Sequence, residues 1–384
     1  MILSIESSCD DSSLALTRID DGALLYHIKI SQDEAHSTYG GIVPEIASRL
    51  HAQRLPEILE KLKIFLHNDL SPIKAIAVTT RPGLSVTLIE GLMMAKTLCL
   101  GLNVPLICVN HLKGHIYSLF IKDETNAPLP RTIESTPLNP QSLLPLGILL
   151  VSGGHTQILK MYDFNHIALI AQTLDDSFGE SFDKVAKYLG LGYPGGPIIE
   201  SYARTFKGQY PHLRAQHFPI PLARNKKVQF SFSGLKNAVR LALQDLPKPL
   251  SEANMASICA GFQEAACHHI TQKCELFFKE QKKQDLKHSG LAEDSKERCA
   301  HLKHFAIVGG ASANSTLREK LAQLCAQYDI TLHLAPLAFC ADNAAMIGRV
   351  GVEHYKMGDF TPLFSAQIAP KSIEGDFMAD SILG

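Results

Sequence analysis

This sequence predicts an α/β fold of two lobes built on one plan, and three observations carry that expectation. The chain has 384 residues, more than one ordinary hydrophobic core organises. Short apolar runs with strand character alternate with longer stretches of helical period. The order of those runs up to Asn110 then recurs from Pro145 onward.

The first half opens with a strand over Ile2 to Glu6 and a polar loop over Ser7 to Asp11. A second strand covers Ser13 to Arg18. Asp20-Asp21-Gly22 is a hairpin signal, and Ala23 to Ile30 forms the third strand. A long amphipathic helix is expected from Pro44 to Leu66, since proline is tolerated in a first helical turn. A strand (Lys74 to Thr80), a Pro82-Gly83 loop, a helix and a strand (Pro105 to Asn110) complete the half.

The second half repeats this layout. Leu146 to Val151 is a strand, Ser152-Gly153-Gly154-His155 its loop, and Gln157 to Tyr162 and Ile167 to Gln172 the next two strands. Helices follow to about Lys283. A strand (Phe305 to Val308) runs into Gly309-Gly310 and a helix from about Asn314. The last strand is Thr331 to Leu334, and Asp342 is expected to open the final helix. Three antiparallel strands, helical material and two β-α steps, made twice, is the layout of the actin/Hsp70/sugar-kinase architecture (ASKHA). Its ligand cleft lies between the lobes, on loops at strand ends. The expected lobes are residues 1–110 with about 342–384, and residues 111–341. Two stretches read as surface loop insertions: 122–144, rich in Pro and Thr, and 281–303, highly charged.

Composition narrows the function classes. Lys and Arg number 37 against 38 Asp and Glu, so a nucleic-acid partner must meet a local basic patch rather than a global positive field. The nine cysteines include no C-x-x-C pair, which suits a reducing compartment better than a disulfide framework. The N-terminus lacks a basic n-region and carries Glu6, Asp10 and Asp11 early, unlike a signal peptide. The most apolar window, Leu84 to Val109, contains Glu90, Lys96 and Pro105 and reads as a buried helix, a short loop and a strand, not a membrane span. A cytoplasmic protein without a membrane partner is the expectation.

His111-Leu-Lys-Gly-His115 places two imidazoles one helical turn apart, after a strand end. With 17 histidines in the chain, such a pair also arises by chance. Leu112 stands where a His-Glu-x-x-His protease needs its general base, which disfavours a metalloprotease. Asp342 follows the last strand of the second half as His111 follows that of the first. Two imidazoles and a carboxylate with open positions suit one divalent metal, Fe(II) or Zn(II). Asp342 also fits a helix N-cap.

Glycine-rich loops at Pro82-Gly83, Ser152-Gly153-Gly154, Tyr193-Pro194-Gly195-Gly196-Pro197 and Gly309-Gly310-Ala311 can each offer N–H groups to a phosphate, although any one serves equally as a turn. None matches a P-loop or Rossmann fingerprint, which leaves a nucleotide-like ligand on a different scaffold. Asp183, Glu200 and Asn314 lie in or near these loops, where a solvated helix face or a cap would also explain them. Arg224-Asn-Lys-Lys227, with Phe230, Phe232 and Lys236, mixes base and aromatic and could meet RNA phosphates. A non-catalytic nucleotide-binding scaffold of the same architecture is the competing reading.

Taken in order, nine stretches resemble the bacterial TsaD family of tRNA adenosine threonylcarbamoyltransferases. They are Ile5-Glu-Ser-Ser-Cys-Asp10, Gly40-Gly-Ile-Val-Pro-Glu-Ile-Ala-Ser-Arg49, Asn110-His-Leu-Lys-Gly-His115, Leu150-Val-Ser-Gly-Gly-His-Thr156, Gly179-Glu-Ser-Phe-Asp-Lys184, Tyr193-Pro-Gly-Gly-Pro197, Phe230-Ser-Phe-Ser-Gly-Leu-Lys236, Gly309-Gly-Ala-Ser-Ala-Asn314 and Cys340-Ala-Asp-Asn343. The resemblance implies that His111, His115 and Asp342 hold a metal, usually iron. It implies that Leu150, Val151, Ser152, Gly153, Gly154, Asp183, Gly196, Glu200 and Asn314 bind threonylcarbamoyl-adenylate. It implies transfer to N6 of adenosine 37 in tRNAs that read codons beginning with A, release of AMP, and TsaB-like and TsaE-like partners. Asp11 is a further candidate catalytic carboxylate. Asp11 stands where the family usually has Glu, Glu200 where Asp is usual, and Arg81 and Val86 where glycines are common.

Overall fold

The computed structural model describes residues 1–124, 140–288 and 302–371. The chain forms two compact units. One comprises Met1–Pro140 and Pro336–Gly384, the other Gln141–Ala335.

The first unit holds β1 (Ile2–Glu6), β2 (Ser12–Thr17), β3 (Ala23–Ile30), a short α1 (Asp33–Ser37), α2 (Pro44–Phe65), β4 (Ala75–Arg81), α3 (Ser85–Leu102), β5 (Leu106–Asn110), α4 (His111–Tyr117) and β6 (Lys122–Asp123). The second holds β7 (Leu146–Val151), β8 (Thr156–Met161), β9 (Ile167–Gln172), α5 (Phe178–Leu189), α6 (Gly195–Gln209), α7 (Ser233–Ala242), α8 (Glu252–His288), β10 (His304–Val308), α9 (Ser315–Gln327) and β11 (Thr331–Leu334). The chain then returns to the first unit as α10 (Ala344–Met357).

The duplication is explicit in the sheets. One runs β5-β4-β1-β2-β3-β6, the other β11-β10-β7-β8-β9. In each, the first strand pairs antiparallel with the second and parallel with the strand of the first β-α step: Ile2↔Thr17 and Ile2↔Ala75, then Leu146↔Met161 and Leu146↔His304. Every residue of β1, β4 and β7 is buried, as expected of strands covered on both faces.

Three expectations need correction. The second lobe does not begin at residue 111. α4 is buried along its whole length and packs on α10 and β5, so it stays with the first unit. Asp342 stays there too, so the three expected metal ligands belong to one unit. The stretches 122–144 and 281–303 are not simply loops. Lys122–Asp123 adds a strand beside β3, Pro140–Leu143 is a short 3₁₀ turn, and α8 continues through residues 281–288. Residues 125–139 and 289–301 lie outside the described residues. The third correction concerns α3, expected to be buried. It is long and apolar enough to cross a membrane by length and composition, and buries one face only. Leu92, Ala95 and Cys99 pack with Leu3, Ile5 and Val78, the arrangement of a core helix, while Met93 and Leu100 are exposed. No disulfide joins the described cysteines.

The core of the second unit gathers Phe178, Phe182, Phe230, Phe232 and Phe262 around α5 and α8. His269 lies wholly buried in it, its ring 5.9 Å from that of Phe230 and 5.4 Å from that of Phe232. Its Nε2 accepts the Ser231 N–H at 3.2 Å, so the ring must be neutral. Burial holds its pKa down to about 4, against an ordinary 6.5. The unfolded chain therefore takes up a proton as pH falls through 6.5, and the fold refuses it until about pH 4. Stability is complete above 6.5 and is lost towards 4. Denaturant unfolding at pH 7 and pH 5 should show a loss about 2 kcal/mol larger for wild type than for His269→Gln.

Candidate metal centre and the loops beside it

α4 starts where β5 stops because Asn110 caps it: the Leu112 N–H donates to Asn110 Oδ1 at 2.9 Å. His111 is then the first helical residue and His115 lies one turn on. Their rings share a face, 4.6 Å apart and nearly perpendicular. Gly114, next to them along the helix, lies against α10. A Cβ there would stand 2.8 Å from Ile347 Cδ1 and 3.1 Å from Met346 Cγ, so the glycine lets α4 lie close on α10.

The same contact brings Asp342 to the histidines. The N-cap of α10 is Asn343, not Asp342: its Oδ1 accepts the Met346 N–H at 2.9 Å, and its Nδ2 donates to Ala341 O at 2.7 Å. With the capping done next door, the Asp342 carboxylate is free to face the imidazoles. Its Oδ1 lies 3.3 Å from His111 Nε2 and 3.2 Å from His115 Nε2. One ligand atom from each of the three residues falls within 4.8 Å of the others.

His115 decides what these groups fit. It is fully buried, and neither of its ring nitrogens makes a hydrogen bond among the described residues; the approach to Asp342 lacks hydrogen-bond geometry. A buried polar nitrogen without a partner costs about 1–3 kcal/mol, so one aimed at a second imidazole and a carboxylate fits a cation-binding role. Two imidazole nitrogens and one carboxylate oxygen suit a divalent metal with positions left open.

Glu6 completes the arrangement, and sequence reasoning missed it as a site residue. Its Oε2 lies 3.2 Å from His111 Nδ1 and accepts from Thr79 Oγ1 at 2.5 Å, and its Oε1 accepts the Ser8 N–H at 2.6 Å. A carboxylate behind a metal-binding imidazole fixes its tautomer and raises its basicity. The available signal was a glutamate closing an otherwise uncharged, buried strand. Burial pushes the carboxyls of Glu6 and Asp342 up, but His111 outweighs it and both lie below the ordinary value. For His111, burial pulls the pKa down, while Asp342 and Glu6 prevail and hold it well above 6.5. His115 is lowered, chiefly by burial.

The β1–β2 loop runs past this cluster. Ser8 Oγ lies 3.1 Å from His111 Nδ1. Asp11 Oδ2 accepts from Lys29 Nζ at 2.8 Å; burial raises its carboxyl to about 6 against the pull of Lys29. Burial and the neighbouring Asp11 carry Asp10 to about 7.

The second unit assembles the other candidates in two groups. Leu150 and Val151 end β7 inside the core, and Ser152-Gly153-Gly154 turns tightly, the Ser152 N–H donating to His155 O at 2.9 Å. Ser177 Oγ donates to Gly153 O at 2.5 Å. Asp183 accepts the Gly195 N–H at 2.8 Å and so anchors the start of α6, where Gly196 faces open space. Glu200, one turn on, accepts the Ser315 N–H at 2.8 Å and the Ser315 hydroxyl. Asn314 caps α9 through the Leu317 N–H (2.9 Å) and donates to Gln263 Oε1 (2.9 Å). Glu200, Arg204, Lys207, Gln263 and Ser315 line a cavity of about 180 Å³.

Two expected RNA-facing groups are otherwise engaged. Phe230 and Phe232 are fully buried, and Lys236 is paired with Asp176 at 2.5 Å.

Residues 23–349 match the family described as TsaD, tRNA N6-adenosine threonylcarbamoyltransferase. The chain belongs to the TsaD family. It is 69% identical over 378 residues to the tRNA N6-adenosine threonylcarbamoyltransferase of Helicobacter hepaticus, covering 98% of this chain and 100% of that protein. It is 52% identical over 373 residues to the Wolinella succinogenes protein of the same name, covering 97% and 99%. Full-length HypF, in its phosphate- and nucleotide-bound form, shares the fold at 13% identity, with a TM-score of 0.51 covering 94% of this chain and 47% of that one. The chain is thus a transferase that modifies adenosine in tRNA, on the duplicated ASKHA fold, and the protease and scaffold readings fall away.

Proposed function

We propose that this chain moves the threonylcarbamoyl group from threonylcarbamoyl-adenylate directly to N6 of adenosine 37, in tRNAs that read codons beginning with A. The unpartnered Nε2 of His115, aimed at the same point as His111 Nε2 and Asp342 Oδ1, carries the metal-assisted form of this reading. His111, His115 and Asp342 would hold one divalent ion, Fe(II) in our assignment and Zn(II) as the alternative. When bound, the ion supplies a Lewis acid for the carbamoyl carbonyl, which an exocyclic amine otherwise attacks poorly.

The remaining steps belong to the protein's own groups. The turn Leu150–Gly154, with Asp183, Gly196, Glu200 and Asn314, binds the adenylate, and backbone N–H groups of the glycine turn hold its phosphate. The N6 lone pair attacks the carbamoyl carbon, the bond from that carbon to the phosphate oxygen breaks, and AMP leaves with the bonding pair. The N6 proton passes to Asp11, whose carboxyl is raised to about 6 and is still mostly ionised at neutral pH. No covalent enzyme intermediate is needed. TsaB-like and TsaE-like proteins complete the system in the cytoplasm.

The reading is tested by reconstitution with purified partners, tRNA and threonylcarbamoyl-adenylate. Threonylcarbamoyl-adenosine in the digested tRNA, with one AMP per modified nucleoside, is the expected result. AMP release without modified nucleoside would refute direct transfer.

A further inference from the structure

The chain's charge balance conceals a strong local bias. Between Glu200 and Asp245 there is no acidic residue, while the interval holds eight Lys and Arg. The rest of the chain keeps 29 of the 37 cations against all 38 acids, so the remainder is acidic. Cations elsewhere on the surface commonly sit against carboxylates, as Lys61 does on Glu57, Lys279 on Glu275 and Lys320 on Glu264. In this interval Lys207, Arg214, Arg224, Lys226 and Lys227 are exposed, and their side chains make no ion pair or hydrogen bond among the described residues.

The segment that carries them is held firmly along α8. The Gln216 N–H donates to Ser257 Oγ at 2.9 Å, Phe218 is buried in the core, and Gln272 Nε2 donates to Ala223 O at 3.2 Å. Ser257 and Gln272 lie about 22 Å apart along the helix at 1.5 Å per residue. Beneath the Arg224–Lys227 turn the Lys273 side chain is fully buried, and its Nζ donates to two carbonyls, Leu222 O at 3.0 Å and Asn225 O at 2.7 Å, rather than to a carboxylate. A further positive charge thus underlies the exposed ones. At its other end the segment joins α6, where Lys207 follows Glu200 and Arg204 around the same cavity.

We propose that residues 204–227 form the face on which this enzyme binds the phosphate backbone of its tRNA, with Arg214, Arg224, Lys226 and Lys227 as the contacting cations. The proposal rests on the tRNA-modifying activity of the family and adds where the polyanion is held. Unpaired, acid-free, rigidly presented cations fit a polyanion, and they give affinity through release of counterions rather than through base reading.

The test measures tRNA affinity of the full-length protein as a function of salt, for wild type and for the triple variant Arg224→Gln, Lys226→Gln, Lys227→Gln. The variant should bind about ten-fold or more weakly at 0.1 M salt, with a log–log salt slope about two to three units shallower. Its melting temperature should match wild type. Lys226→Arg with Lys227→Arg should keep the affinity, and Lys279→Gln with Lys282→Gln on α8 should leave it unchanged. An unchanged dissociation constant and slope in the triple variant overturn the proposal. Wild-type modification of tRNA, assayed in the same preparation, separates that outcome from failure of the activity itself.

Discussion

His115→Leu should abolish tRNA modification while leaving the metal-free protein as stable as wild type, or more stable. His115 is buried with both ring nitrogens lacking hydrogen bonds, a state costing about 1–3 kcal/mol for each unsatisfied group. An apolar side chain of similar volume removes that cost. The same substitution deletes one of the three proposed ligands. Altering a group that merely orients a ligand typically costs 10–100-fold in metal affinity, so loss of the ligand itself should exceed about 100-fold. Glu6→Gln, which leaves all three proposed ligands but weakens the partner of His111 Nδ1, should fall within about that 10–100-fold range. Calorimetric metal titration, melting in chelator, and nucleoside analysis after reconstitution together check the prediction. Full metal content with wild-type turnover in His115→Leu would remove this site from the mechanism.

Gly309→Ala should destabilise the second unit and misplace its ligand turn. Gly309 follows β10 at φ +94°, in a region that L side chains rarely adopt. A Cβ there would stand 2.3 Å from Val151 O and 2.8 Å from Val151 C, both backbone atoms with little room to yield. Strain and overpacking together should lower stability by about 3 kcal/mol or more, roughly 10 °C in melting temperature. The relief available is to push Val151 and Ser152 away, which displaces the Ser152–Gly154 turn. Gly196→Ala is the matched control, because nothing lies within 4 Å of a Cβ at that position. It should melt like wild type and yet raise the KM for threonylcarbamoyl-adenylate, because the added methyl enters the space assigned to that ligand. Equal melting temperatures for wild type and Gly309→Ala would show that the backbone can yield and defeat the prediction.

Much of the fold was legible because the signals were local. The strands at Ile2–Glu6, Ala23–Ile30, Leu146–Val151, Ile167–Gln172 and Thr331–Leu334 stand where their apolar runs end, and Gly22 turns the first hairpin at φ +73°. The metal candidates were legible by spacing, since His111 and His115 need only one helical turn to share a face. The boundary between units was not. Whether α4 closes one lobe or opens the next depends on its packing against α10, more than two hundred residues further along the chain. The cap of α10 was misplaced by one residue for a related reason: Asp342 and Asn343 are both good caps, and only the position of the histidines leaves one carboxylate free. Phe230 and Phe232 misled in the other direction. Beside a basic run they looked available to RNA, yet the ring of His269 and the helices α5 and α8 enclose them.

By itself, the sequence determined the duplicated order of strands and helices, the family, the His111/His115 pair and the acid-free basic interval. Each of these is written in residue type and short-range spacing. The tertiary structure decided that Asp342 joins those histidines in one unit, that Glu6 stands behind His111, and that Phe230 and Phe232 are core. Each of these depends on contacts between residues far apart in the chain, which burial and close packing select and no local pattern records.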